Sequence, residues 1–119
     1  MSKQSICIID DDPIYQLVTK KVIEKSVFFP KVNSFSNGLE AIKFMKENLF
    51  LPEVILLDIE MPLMDGWDFL DEIIQLRKGS QNKINIYIVS SSIAREDKDK
   101  AKAYDCIKGF ISKPINLSI

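Results

Sequence analysis

Short runs of uninterrupted apolar residues alternate along this chain with longer stretches in which apolar residues recur every three or four positions. The first run is Ile6-Cys7-Ile8-Ile9. Asp12 then stands where it can cap a helix starting at Pro13, a position at which proline's missing N–H costs nothing. That helix is expected to present Ile14, Leu17, Val18 and Val22 on one face. A weaker strand, Val32 to Phe35, is interrupted by Asn33 and Ser34 and suits the edge of a sheet. Ser36-Asn37-Gly38 punctuates it, and Ile42, Met45 and Leu49 mark a second helix.

Pro52 precedes a second uninterrupted run, Val54-Ile55-Leu56-Leu57, which ends at Asp58. After a loop reaching Asp65-Gly66, the residues Trp67, Leu70 and Ile74 form a third helical stripe. Gly79 to Lys83 reads as a polar loop and Ile84 to Val89 as a fourth strand, closing in Ser90-Ser91-Ser92. Ala94 to Tyr104 reads as a helix with a charged exterior, and Ile107 to Ile111 as a fifth strand before Ser112-Lys113-Pro114. Runs that are apolar at every position are buried on both faces, so the first and third strands belong inside the sheet. Strands alternating with helices give an α/β fold, a three-layer, doubly wound five-stranded parallel sheet with right-handed crossovers. No linker, repeat or low-complexity stretch divides residues 1–119, which read as a single domain.

Composition narrows the chemistry. The chain holds no histidine, which removes the commonest general base, the commonest zinc ligand and any Ser–His or Cys–His pair. Sixteen basic and seventeen acidic residues leave a net charge of −1, with no bulk pull toward nucleic acid or an anionic membrane. Cys7 and Cys106 are far apart and form no metal motif; Cys7, among isoleucines, reads as a small buried hydrophobe. The apolar runs are too short for a signal-peptide core, and shorter still than the roughly 20 residues that span a bilayer. The expectation is a soluble, reduced, cytoplasmic protein.

The reactive side chains gather at strand ends. Asp10, Asp11 and Asp12 follow the first strand, Asp58 ends the third, Ser90 the fourth, and Lys113 follows the fifth. Taken singly, each has a plain reading: a capped turn, a capping loop, a serine-rich loop, a surface lysine. A parallel sheet, however, brings all of these ends to one edge, where doubly wound folds bind ligands. Carboxylates crowded there cannot all stay ionised, so either one is protonated or a cation sits among them. All-oxygen ligation suits Mg²⁺, and a lysine and a hydroxyl opposite make a pocket for a tetrahedral oxyanion. A carboxylate aimed into that pocket can take a phosphoryl group as an acyl phosphate.

These residues resemble the receiver domains of bacterial two-component response regulators, of the single-domain chemotaxis type, over nearly the whole chain. The resemblance is carried by Cys-Ile-Ile-Asp-Asp-Asp-Pro, by Leu-Leu-Asp-Ile-Glu-Met-Pro-Leu-Met-Asp-Gly-Trp, by Ser90 and by Lys113-Pro114. It implies a flavodoxin-like strand order 2-1-3-4-5. It also implies a phosphoprotein of a phosphorelay that catalyses only its own phosphorylation and dephosphorylation, with Asp58 as phosphoacceptor. Mg²⁺ would be held by Asp10, Asp11, Asp58 and the backbone carbonyl of Glu60. Lys113 would pair with a phosphoryl oxygen, Ser90 would move inward to bond another, and Phe110 would change rotamer behind it. The implied donor is a phosphohistidine on a sensor histidine kinase or histidine phosphotransfer protein, which agrees with the missing histidines.

Plain readings stand beside these. Phe110 is also what a core aromatic of strand five looks like, Met61 and Met64 fit gap-filling under the loop, and Trp67 fits packing. The charged helix from Arg95 to Lys102 is a solvated face by default, and by resemblance a contact surface for an output partner the sequence does not name. Only five residues follow Pro114, so the expected fold has its final helix largely missing, with an apolar strip on the first-helix side of strand five. The helix would be short, swapped into a dimer or absent, or the chain a piece of a longer one. Residues 1–119 do not support a DNA-binding output, and no nucleic-acid or membrane contact by this domain is expected. Glu60 and Ser92 occupy positions that influence phosphoryl lifetime in receivers. The alternative function is a pseudo-receiver, a binding module with an unused pocket. A phosphatase of the aspartyl-phosphate type lacks its cap, and a flavin carrier lacks its hydroxyl-rich phosphate loop.

Overall fold

The two uninterrupted apolar runs become the strands with both faces covered. The computed structural model describes residues 5–25, 31–48, 52–59, 65–77, 84–90 and 93–113. Within them the order is β1 (Ser5–Ile9), α1 (Pro13–Glu24), β2 (Lys31–Phe35), α2 (Gly38–Asn48), β3 (Val54–Asp58), α3 (Gly66–Arg77), β4 (Asn85–Ser90), α4 (Arg95–Ala101) and β5 (Ile107–Ser112). All strand pairs are parallel and the sheet runs β2-β1-β3-β4-β5, the flavodoxin-like order. β1 and β3 are interior strands, and the polar-interrupted β2 is an edge. The chain turns back between β1 and β3, which makes their C-terminal ends the topological switch point.

Alternation along the strands sends side chains to two cores. Cys7, Ile9, Ile55, Leu57, Ile86 and Ile88 face the side covered by α2 and α3. Ile6, Ile8, Leu56 and Val89 face the other side with Ile23 of α1. The helix starts follow their caps. Asp12 accepts from the Ile14 N–H at 2.9 Å, Asn37 from Glu40 at 2.9 Å, and Asp65 from Asp68 at 2.9 Å. One glycine is demanded by space: a Cβ on Gly66 would lie 2.7 Å from the Ile59 Cα, while the Gly66 N–H donates to the Ile59 carbonyl at 3.2 Å.

Two expected helices differ in detail. In α1 the stripe Ile14, Leu17, Val18 does not face the sheet: these residues are 71%, 55% and 40% exposed, and the buried positions are Thr19 and Ile23. The physical reason lies in the neighbouring Gln16. Its amide donates to the Asp10 carbonyl at 2.6 Å and reaches the Phe35 carbonyl at 3.3 Å, which fixes the rotation of the helix. The fourth helix is shorter than Ala94 to Tyr104, because after Ala101 the N–H groups of Lys102, Ala103 and Tyr104 bond three residues back and tighten the chain into turns.

On the first-helix side of β5, Ile111 is half-buried, as is Tyr87 on the same face of β4. The expectations for Leu49, the loop from Glu60 to Met64, Gly79 to Lys83, Ser91, Ser92 and the final helix after Lys113 lie outside the described residues. Among the described residues no helix is long and apolar enough to cross a membrane.

Candidate functional site

Strand register assembles the site. Ile9 pairs with Leu57, so the next residues, Asp10 and Asp58, emerge side by side at the ends of β1 and β3. Both are buried at 4% exposure, whereas Asp11 is exposed. Carboxylate oxygens of Asp10, Asp11 and Asp58 lie within 4.8 Å of one another. Asp12 is separated from this group by its task as the cap of α1.

From the far end of the sheet comes Lys113. Its Nζ is 2.9 Å from Asp10 Oδ2 and 3.3 Å from Asp58 Oδ2. Asp10 Oδ1 accepts the Asp12 N–H at 2.9 Å, so one carboxylate is held by a backbone donor and a cation together. The placement of Lys113 is set by β4 and β5: Ser90 pairs with Ser112, and the Lys113 N–H donates to the Ser90 carbonyl at 3.0 Å. Burial disfavours the Lys113 ammonium, but the hydrogen bond and charge of Asp10, with the charge of Asp58, outweigh burial and hold its pKa above the ordinary lysine value. Ser90 is 2% exposed at the end of β4.

Three carboxylates therefore gather where the Lys113 ammonium meets two of them, Asp10 and Asp58. The excess is negative, and the donors are hard oxygens, the set that accepts a divalent ion such as Mg²⁺. The fit holds for Asp10, Asp11 and Asp58; Glu60 lies outside the described residues. The close approach at Gly66 sets the start of α3 directly against Ile59, the residue that follows Asp58.

Phe110 is half-buried against the larger core and borders an open groove with Ala101, Tyr104 and Ile107. Trp67 packs as expected, 5.8 Å from the Tyr104 ring between centroids, and Tyr104 donates its hydroxyl to Asp71 at 2.9 Å. Lys100, from the charged helix, stands 4.9 Å above the Trp67 ring, so that face is not purely solvated. Two residues at the site escaped the sequence pattern. Tyr15 lies under Lys113, its ring centroid 4.5 Å from Nζ, and Gln16 ties the ends of β1 and β2 together. The only sequence signal for either was position, in the first helical turn after the acidic run.

The family profile described as the response regulator receiver domain matches residues 6–118. A chemotaxis protein CheY from Halobacterium salinarum is 29% identical over 114 residues, covering 96% of this chain and 87% of that protein. A protein-glutamate methylesterase/protein-glutamine glutaminase from Halalkalibacterium halodurans is 30% identical over 114 residues, but the match spans only 31% of its length. Among solved structures, a two-component response regulator from Cytophaga hutchinsonii superposes with a TM-score of 0.87 at 29% identity, covering 98% of this chain and 90% of that one.

Proposed function

The chain belongs to the response regulator receiver family, and we propose that it is a working phosphoacceptor whose acceptor is Asp58. The observation that carries this is the placement of a buried aspartate at the switch point of the sheet, against a second buried aspartate and a buried lysine. An oxygen of the Asp58 carboxylate attacks the phosphorus of a phosphohistidine on a sensor kinase or histidine phosphotransfer protein. The P–N bond breaks, its electron pair leaves with the imidazole, and Asp58 becomes an acyl phosphate. Asp10, Asp11 and Asp58, with the Glu60 carbonyl, would hold Mg²⁺, which when bound supplies positive charge to the phosphoryl oxygens.

Lys113 stays where it is and exchanges the Asp58 oxygen for a phosphoryl oxygen, so the cation needs little reorganisation. The Ser90 hydroxyl takes a second phosphoryl oxygen, and Phe110 rotates behind it. The phosphoryl group shifts the population because it binds this arrangement better than the resting one. Signal output is then a change of surface around β4, α4 and β5, read by a protein partner.

Incubation with Mg²⁺ and acetyl phosphate, followed by intact mass, tests the proposal. The wild type should gain one phosphoryl group, and Asp58→Ala or removal of Mg²⁺ by EDTA should abolish the gain. Lys113→Ala should keep the fold and blunt the phosphorylation-dependent change. A wild type that never gains the mass, or an Asp58→Ala variant that gains it equally, is a pseudo-receiver or carries its acceptor elsewhere.

A further inference from the structure

The acid cluster has an aromatic neighbour. Tyr15 is half-buried in the first turn of α1, and its ring centroid is 4.5 Å from the Lys113 Nζ. The same nitrogen lies 2.9 Å from Asp10 Oδ2 and 3.3 Å from Asp58 Oδ2, and the lysine side chain is 9% exposed. An ammonium at that distance is attracted by the negative face of the ring, more strongly when water is excluded. Lysine is a point charge on a long flexible stem, so its accuracy has to come from what surrounds the nitrogen. Two carboxylates hold it on one side and the ring on another.

The ring itself stands on fixed backbone. Asp12 caps the helix one residue ahead of it through the Ile14 N–H. Gln16, one residue behind, donates to the carbonyl of Asp10 at 2.6 Å. Tyr15 is thus locked to the same turn that carries the acidic residues, and it cannot move without disturbing them. Among the described residues it belongs to neither of the two buried clusters, although the sheet-facing positions Thr19 and Ile23 follow it at helical spacing.

We propose that Tyr15 is a positioning residue for phosphoryl transfer to Asp58, its ring holding the Lys113 ammonium, shielded from water, at the carboxylate pair where phosphoryl oxygens arrive. This rests on Asp58 being the phosphoacceptor. Without the ring, water reaches the ammonium and the stem samples more rotamers, so the cation is in place for a smaller share of encounters. The ring face is what matters, and the hydroxyl is dispensable.

Two measurements on the full chain separate these roles. With acetyl phosphate and Mg²⁺, Tyr15→Leu should slow phosphorylation roughly tenfold, the scale of one desolvated cation–π contact. Tyr15→Phe should stay within about twofold of the wild type, because a phenyl face also attracts a cation. Independently of any phosphoryl transfer, the ring should shift the NMR signals of the Lys113 ε-methylene protons upfield in the wild type and in Tyr15→Phe. That shift should vanish in Tyr15→Leu, whose amide spectrum and thermal midpoint should otherwise match the wild type. A Leu variant that reacts at the wild-type rate overturns the proposal, as does a Phe variant as slow as Leu, or a wild type without the upfield shift. A wild type that shows the shift but never gains phosphoryl mass overturns the phosphoacceptor reading, and with it the catalytic part of this one, while the lysine's placement stands. A Leu variant that does not fold leaves the decision to Tyr15→Phe and the shift.

Discussion

On one face of the sheet, α2 and α3 press Ala41, Ile42, Met45, Phe69, Leu70 and Ile73 onto the strands. On the other, α1 contributes Ile23 to the buried cluster and turns Ile14, Leu17 and Val18 outward. The difference does not come from a lack of apolar residues in α1. It comes from what else that helix does: Asp12, Tyr15 and Gln16 cap, shield and brace the acidic turn, and their polar contacts fix its rotation. The half-buried Gln16 amide bridges the ends of β1 and β2, and the helix rotation that keeps those bonds turns the aliphatic stripe toward water. The opposite face carries no such duty and packs by hydrophobic complementarity.

Substitutions can break or sharpen this contrast. Phe69 is among the largest fully buried side chains, and Phe69→Ala on the packed face should cost about 3–5 kcal/mol, read from the midpoint of urea unfolding. Asp12→Ala removes the cap of α1 and should cost about 1 kcal/mol in the same assay. Leu17→Ala, on the outward stripe, should change stability by less than about 0.5 kcal/mol. Were Leu17→Ala to cost as much as Phe69→Ala, the outer face of α1 would be covered in solution and the two faces would be equals. Were Asp12→Ala neutral, the helix would owe its placement to Gln16 and Ile23 instead.

Much of the fold was legible because its signals are local. An unbroken apolar run as short as Val54 to Leu57, preceded by a proline, reads as a strand buried on both faces, and Asn33 and Ser34 in the weaker candidate before it pointed to an edge. Asp12-Pro13 announced a helix start because a cap and a proline obey first-turn chemistry whatever surrounds them. The α1 stripe misled for the converse reason. Spacing shows which residues share a face, but not which of two faces meets the sheet, and Gln16 settled that through carbonyls six and nineteen positions away. The C-terminal end of the fourth helix was hidden too, since Lys102, Ala103 and Tyr104 are compatible with both a helix and the turns they form.

The site divides the same way. The aspartates, Ser90 and Lys113 could be picked out from residue type and from the rule that parallel strands end at one edge. Sequence order alone thus determined which groups could meet. Which of them do meet, and how, was decided by register and helix rotation: Ile9 opposite Leu57 sets Asp10 against Asp58, and Ser90 opposite Ser112 delivers Lys113 to both. That Asp10 is buried while Asp11 is exposed, and that a tyrosine lies under the lysine, follows from long-range packing. Contacts of that kind cost chain entropy that is recovered only when the whole sheet is in place, so no local pattern records them.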